Sequence, residues 1–491
     1  MKNFIQIFSV FILLLMTLSD LYAQNYPTWQ RAYNDPAGKW NQCKGYDGCQ
    51  LRNGNLIVTV ETEPKEVPPE PPSSGIFVLN PYGDIIDSIH YYNYYANSVL
   101  ATLDNGCIIM GSTENTQDDM FAMKLDSVGR QKWVKHYDNT PALMCLGATR
   151  TSDNNFFAVG QMYYDYSYII KIDSNGNRLW QRYYTKGIGN TYYYTVCDVG
   201  DGTYLAGGNY ETSENYIQSF VTHFDNNGNI ISEKEYKYND YPFLITKINK
   251  LNPNSYLLTG TQYDLSIHKG IISMIKIDSS GNIISKYSLP QIPGYNVVSD
   301  DCDVLNEGRY VMLNHKYKIG GDLFSLAQIV DSSGNILSTQ TYGAGGNVTV
   351  DLRKFHKLLG NQFLFIGISD TRVSYFSDAF VVRADSNLYA PPCGINDSTA
   401  ILPEKYLLLT AYPNPFNSGT IIGFSVPKTS QIKIAIYDIL GREVKILCNN
   451  NFNTGNYKIR LDMTEFVSGI YFYSLYNEGN LISTKKLVLI K

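Results

Sequence analysis

Short apolar runs with period-two alternation, separated by clusters of Asp, Asn, Ser and Gly, fill the chain from Thr28 onward. That pattern predicts half-buried antiparallel strands, and no apolar period of the helical kind persists between them. One polar phrase recurs among the runs: NPYGD at Asn80, DSVGR at Asp126, DSNGN at Asp173, DNNGN at Asp225, and DSSGN at Asp278 and Asp331. Its glycines, Gly83, Gly129, Gly176, Gly228, Gly281 and Gly334, are spaced by 46, 47, 52, 53 and 53 residues. A period near 50 predicts propeller blades, because solenoid repeats run ~20–47 residues.

Each unit has the same internal order. A polar turn such as DNGCIIMG at Asp104 or GDGTYLAGG at Gly200 leads into an apolar strand. A second strand follows, such as YIIKID at Tyr168, and the Asp-x-x-Gly turn reverses the chain into a last strand. That last strand ends in an aromatic residue, Tyr91, Tyr137, Tyr184, Tyr236 or Tyr342, each eight residues past its turn glycine. With an entry strand, about four strands per unit result. A calcium-loop reading of DSNGN lacks the later bidentate carboxylate, whereas Asp capping and a positive-φ glycine explain the phrase as a turn.

TWQRAY at Thr28 to Tyr33 matches a final strand, as in LWQRYY at Leu179 to Tyr184, but no unit precedes it. A seventh unit conversely stops at the worn turn ADSN, ending at Asn387, without a final strand. The N-terminal fragment is therefore expected to supply the last blade's outer strand, which hides an open edge. The expected fold is all-β: a seven-bladed β-propeller closed by an N-terminal strand, with six or eight blades as alternatives, followed by a small C-terminal Ig-like β-sandwich. The main region resembles the extracellular bacterial β-propeller repeats that carry a D-S-x-G-N-x-x-W motif, a likeness that implies shape and no activity.

The tail opens with YPNPFNSGT from Tyr412 to Thr420 and continues through QIKIAIYD, where Ile432, Ile434 and Ile436 share one strand face. DILGRE at Asp438 to Glu443 supplies a hairpin turn around Gly441. SGIYFY at Ser468 to Tyr473 and a basic end at Lys485, Lys486 and Lys491 complete it. These motifs resemble the type A C-terminal sorting domain of the type IX, or Por, secretion system. The resemblance covers about a sixth of the chain. It singles out Tyr412, Pro413, Asn414, Pro415, Gly441, Gly469 and Lys491, and implies passage across the outer membrane through the secretion machinery, usually with removal of the tail and release or anchoring of the protein at the surface. An Ig-like module of hook-capping proteins opens in a similar way.

The N-terminus agrees. Lys2, an apolar run from Phe4 to Leu18 and LYA at Leu21 to Ala23 predict a secretory signal peptide cleaved after Ala23. The expected parts are residues 1–23 as signal, 24–390 as propeller, 391–410 as linker and 411–491 as sorting domain. No further apolar stretch is long enough to span a bilayer as a helix. The expected location is the medium or the cell surface of a Gram-negative bacterium.

The net charge of −5 offers no basic field for nucleic acid or anionic lipid. Of eight cysteines, Cys43 and Cys49 are the expected disulfide. Cys107, Cys145, Cys197 and Cys302 are expected as small buried hydrophobes. Cys393 and Cys448 flank the tail boundary and form a second candidate pair. No Cys/His spacing suggests zinc, and no cofactor is expected.

Candidate chemistry is sparse. CDV recurs at Cys197 to Val199 and Cys302 to Val304, and with Asp300 and Asp301 it puts Asp198 and Asp303 near the centre of the ring. These four acids define either a metal or sugar site, the acid and base of a glycosidase, or only a solvated channel mouth. Six scattered histidines form no catalytic spacing, and HExxH, GxSxG and P-loop patterns are missing from the sequence. Tyr163, Tyr164, Tyr166 and Tyr192 to Tyr194 are candidate stacking residues or inter-blade packing. A proline-rich excursion from Glu63 to Gly75 is expected to be extended. The expected function is a non-catalytic binding or adhesion platform for a glycan or protein, the alternative a secreted, glycan-active hydrolase.

Overall fold

The computed structural model describes residues 26–391 and 406–491, apart from segments 34–39, 65–72, 114–119, 138–142, 163–165, 188–189, 213–216, 238–241, 265–268, 307, 318–322, 344–347, 372–376, 409–410, 412–413, 418 and 453–454. The signal segment with Ala23, the core of the proline-rich excursion, and Tyr163 and Tyr164 lie outside the described residues. The chain divides into two compact units, residues 1–393 and 394–491, and every regular element among the described residues is a strand.

Among the described residues the first unit contains seven four-stranded antiparallel sheets. Six are meanders of consecutive strands in chain order: the first spans residues 40–92, the second 94–137, the third 143–184 (Leu143–Arg150, Phe156–Met162, Tyr166–Ile172 and Arg178–Tyr184), the fourth 191–236, the fifth 243–288 and the sixth 296–340. The seventh joins Val348–Lys357, Phe363–Thr371 and Ser377–Ala384 to Trp29–Tyr33 from the other end of the chain. The pairing runs antiparallel from Trp29 opposite Arg383 to Tyr33 opposite Ala379. The first strand of each sheet packs on that of the next, and the seventh packs back on the first.

The recurrent phrase is a turn in which the Asp carboxylate is consumed locally. Asp173 Oδ1 accepts from the amides of Asn175 and Asn177 at 2.8 Å each, while its Oδ2 accepts from Asn177 Nδ2. Gly176 at φ +76° then closes a type I turn with a glycine bulge. Asp225, Asp278 and Asp331 repeat these bonds. In the seventh unit Leu388 takes the glycine place at φ +66°, fully buried, and Asp385 still caps the turn.

The same turns hold sheet to sheet. In three sheets the closing tyrosine donates its hydroxyl to the turn carbonyl of the next: Tyr137 to Gly176 at 2.8 Å, Tyr236 to Gly281 at 2.8 Å, Tyr342 to Leu388 at 2.6 Å. Each such bond contributes about 1 kcal/mol. Trp133 and Trp180 lie over Gly176 and Gly228, where an added Cβ would come within 2.6 and 2.7 Å of the ring. The N-terminal strand makes these contacts too. Trp29 Nε1 donates to Pro81 O at 3.0 Å and Tyr33 Oη to Gly83 O at 2.6 Å, so it completes the seventh sheet and grips the first.

The second unit has a three-stranded sheet, Leu407–Leu408, Gly419–Val426 and Gly455–Asp462, and a four-stranded one built on Ser430–Tyr437 and Gly469–Asn477. Ile422, Phe424, Ile432, Ile434, Ile436, Tyr473 and Leu475 share its core.

The expected Cys43–Cys49 disulfide is not formed. Both are buried thiols on one strand, Trp40–Gln50. Six residues of extended chain separate them by roughly 20 Å, beyond the ~7 Å Cα limit. Cys107, Cys145 and Cys302 are buried as expected, whereas Cys197 is partly exposed. Cys448 is free, and its proposed partner Cys393 lies outside the described residues.

Candidate functional site at the centre of the ring

All seven innermost strands carry a register irregularity at the same level. It falls between Gly45 and Asp47, Ala96 and Ser98, Cys145 and Gly147, Tyr193 and Thr195, Ile245 and Lys247, Ser299 and Asp301, and Leu352 and Lys354. A bulge bends the strand and re-aims the following side chain. Opposite it the backbones approach so closely that a Cβ on Gly160 would sit 1.8 Å from Met144 O, and one on Gly367 2.0 Å from Asp351 O.

The residue after the bulge ties its strand to the next. Asp47 Oδ2 accepts from Val99 N at 2.8 Å, Thr195 Oγ1 from Ile248 N at 3.2 Å, and Asp301 Oδ2 from Phe355 N at 3.4 Å. Charges of both signs meet there. Lys247 Nζ lies 2.9 Å from Asp301 Oδ1, and His356 Nε2 contacts Asp47 Oδ1. Burial alone would raise the Asp301 pKa, but Lys247 and then Lys354 outweigh it and hold the carboxyl low. Burial disfavours the Lys247 charge, but Asp301, Asp303 and Asp47 hold its pKa above the usual lysine value. Asp303 goes the other way, its pKa raised by burial against the pull of Lys247, while Val304 N donates to it at 2.7 Å.

Beside this group, His315 is buried between two acids. Its Nδ1 contacts Asp300 Oδ2 and its Nε2 lies 2.7 Å from Asp351 Oδ1, while Arg353 Nε reaches Asp351 Oδ2 at 3.1 Å. Burial favours neutral imidazole, but Asp300 and Asp351 outweigh it and lift the pKa to about 9. Asp300 is itself raised, by burial.

Of the four acids singled out in the sequence, the fold brings Asp301 and Asp303 together around Lys247 and sets Asp300 against His315. It places Asp198 elsewhere, on the seam between the third and fourth sheets, where its Oδ2 accepts from Ser152 N at 2.6 Å and its Oδ1 from Gly200 N at 3.1 Å. Lys247, His315 and Asp351 escaped the sequence reading. The signal was a lysine or histidine inside an apolar strand; Lys247 meets Asp301 and His315 meets Asp351 across two sheets, while Asp300 lies beside His315 on the neighbouring strand of its own sheet. Among the described residues no group of three or more His, Cys, Asp or Glu is placed to hold a metal ion.

In the tail, Asn414 clamps the final strand: its Nδ2 donates to Lys486 O at 2.9 Å and its Oδ1 accepts from Val488 N at 2.7 Å. The Asn414–Pro415 peptide is cis. Asp438 caps the Gly441 turn with the bonding used in the main unit. Gly469 starts a strand opposite Leu489, and Lys491 N donates to Ser468 Oγ at 2.9 Å. Tyr412 and Pro413 lie outside the described residues.

Residues 410–491 match the family described as the secretion system C-terminal sorting domain. The chain therefore ends in a type IX sorting tail, which supports export to the cell surface or the medium. No curated protein matches the sequence. Among solved structures the chain is similar to the WD40 domain of Neurospora crassa Pan2, with 11% identity and a TM-score of 0.44 over 75% of this chain and 99% of that one. It is also similar to the β-propeller domain of the Trilobed protease from Pyrococcus furiosus, with 8% identity and a TM-score of 0.44 over 72% and 99%. The acylaminoacyl peptidase of Pyrococcus horikoshii gives 8% identity and a TM-score of 0.46 over 80% and 60%. The main unit has the repeated-sheet build of a β-propeller. No helix among the described residues is long and apolar enough to cross a membrane.

Proposed function

We propose that this is an exported bacterial protein whose seven-bladed propeller is a non-catalytic binding or adhesion platform, delivered by a signal peptide and an Ig-like sorting tail. The observation that carries export is the sorting-domain match over residues 410–491. Binding is favoured over hydrolysis because the central acids are committed to the fold. Asp301 is tied to Lys247 and Phe355 N, Asp300 to His315, and Asp198 to two turn amides.

One observation favours the runner-up, a glycan-active hydrolase. Asp301 is held low and Asp303 high on the same strand, the divergence that separates a base from an acid. Two experiments test these readings. Removal of residues 411–491 should abolish delivery to the surface or medium, and unchanged delivery would refute the export reading. Turnover of any glycan that is lost in Asp303→Asn and Asp301→Asn would replace the platform by an enzyme.

A further inference from the structure

The seam between the second and third sheets differs from the next seam in a way that opens a cleft of about 490 Å³, lined among others by Asp104, Lys124, Lys132, Trp133, Arg150 and Phe156. In the seam between the third and fourth sheets the equivalent space is filled. There the buried Lys171 ammonium donates to Asp153 Oδ2 at 2.7 Å, Tyr204 Oη at 2.8 Å and Asn226 Oδ1. Trp180 Nε1 donates to Asn226 O at 2.8 Å, and Asp198 reaches across to Ser152 N.

Register equates the two seams position by position. Lys124 and Lys171 each pair with the residue after the first of their neighbouring strand, and Trp133 and Trp180 each follow their turn glycine by four. Phe156 then stands where the next seam has Tyr204, Ser174 where it has Asn226, Arg150 where it has Asp198, and Lys132 where it has Leu179. The hydroxyl and amide that would complete the lysine shell are gone, leaving Lys124 with Thr102 and Asp104. Both changes at the mouth add positive charge.

The groups left over face the space. Trp133 has no hydrogen-bond partner for its indole N–H among the described residues, and lines the cleft half-buried. Arg150 makes one long bond, 3.4 Å from Nη1 to Ala101 O, which leaves most of its donors unengaged. Lys132 is 60% exposed, 3.3 Å from Asp126. At the position of Lys132 five of the other six outer strands carry Ile86, Leu179, Ile231, Ile284 and Leu337, and the N-terminal one is preceded by Thr28. Lys124 is paired with Asp104 and Lys132 with Asp126, so Arg150 gives the pocket one positive charge in excess on a chain of net charge −5. The volume falls in the ~300–1,000 Å³ span of small-ligand pockets. A planar aromatic face beside a guanidinium fork suits a ring that carries an anionic group.

We propose that this cleft binds an acidic sugar residue, its ring on Trp133 and its carboxylate or sulfate between Arg150 and Lys132. This rests on the platform reading and gives it a ligand class. The test uses the full mature chain, with an oligogalacturonate, a sulfated oligosaccharide and an uncharged galacto-oligosaccharide followed by calorimetry and tryptophan fluorescence. Binding of an acidic probe at least tenfold tighter than the neutral one is expected, weakening with salt; which acidic probe binds identifies the anion. Arg150→Gln with Lys132→Gln, both exposed, should weaken it at least tenfold without loss of folding. Phe156→Tyr with Ser174→Asn, which installs the residues of the filled seam, should abolish it while the protein stays folded. Failure of every acidic probe, preference for an acidic peptide, or acidic-sugar binding that survives both double variants would overturn the proposal. The last outcome leaves the platform standing with its site elsewhere, whereas turnover lost in Asp301→Asn would remove the platform itself.

Discussion

Two neighbouring seams of the ring start from the same repeat and end in opposite states. Between the third and fourth sheets, Lys171 is sealed by an acid, a phenol and an amide, and Phe157 stacks on Tyr204 at 4.7 Å. Between the second and third, Lys124 keeps Thr102 and Asp104 alone among the described residues, and a cleft stands where the other partners would be. A buried ammonium is tolerated only when its donors are met. Losing two partners therefore either costs stability or leaves room for a ligand to supply them. The repeat scaffold stays constant because its hydrogen bonds are made by turns and main chain, which frees seam residues to diverge.

The strongest way to break this comparison is to remove each lysine. Lys171→Met removes the ammonium shared by Asp153 Oδ2, Tyr204 Oη and Asn226 Oδ1, leaving Asn226 Oδ1 with the Tyr204 hydroxyl alone, and should cost about 3 kcal/mol in denaturant unfolding, with Lys124→Met costing about half as much. Equal losses would mean that the two shells do not differ in strength. The seam between the sixth and seventh sheets offers a second buried cation as a control. His315, flanked by Asp300 and Asp351 with Arg353 beyond, has its pKa raised from 6.5 to about 9. A raised folded value stabilises fully below pH 6.5 and the contribution is lost as pH rises through about 9. The expected decline is about 3 kcal/mol over that window. His315→Gln should flatten it, and a slope unchanged in that variant would assign the titration to another group.

The latches should differ less. Tyr137→Phe removes the 2.8 Å bond to Gly176 O in the open seam and should cost about 1 kcal/mol. Tyr184, in the filled seam, bonds to Glu233 instead of the turn, so Tyr184→Phe should leave Trp180 and its turn in place by fluorescence. The smallest effect concerns acid. Burial alone would raise the Asp153 pKa, but Lys171 and Thr151 hold it at about 2, against an ordinary 3.8. Its contribution is present above pH 3.8 and lost as pH falls through about 2, so Asp153→Asn should remove a shallow acid-side slope in the unfolding midpoint. Because this side chain is 43% exposed, solvent screens the pair.

Much of the ring was legible in sequence because its repeats are written in local chemistry. The Asp-x-x-Gly phrase needs only five residues to satisfy its own amides. The tyrosine eight residues later marks the end of the strand that follows, and Trp29 and Tyr33 could be matched to a final strand without any structure. The candidate site was less legible. Asp301 and Asp303 stood out as a repeated CDV, yet the lysine between them comes from another sheet about fifty residues earlier, and the histidine beside Asp300 lies in an apolar strand. Asp198 carried the same sequence signal as Asp303 and does a different job, because a turn amide reaches it first. Cys43 and Cys49 looked close on paper, but an extended strand separates what sequence proximity suggests.

The sequence by itself determined the strand order, the repeat, the clasp of Trp29–Tyr33 on the last sheet and the sorting tail, since each follows from hydrogen bonds and periodicities within a few residues. Only the tertiary structure decided where the bulges aim their side chains, which cations meet which acids, and which seam is filled. Those outcomes depend on residues of adjacent sheets, about fifty positions apart, that come within bonding distance only once the ring has closed.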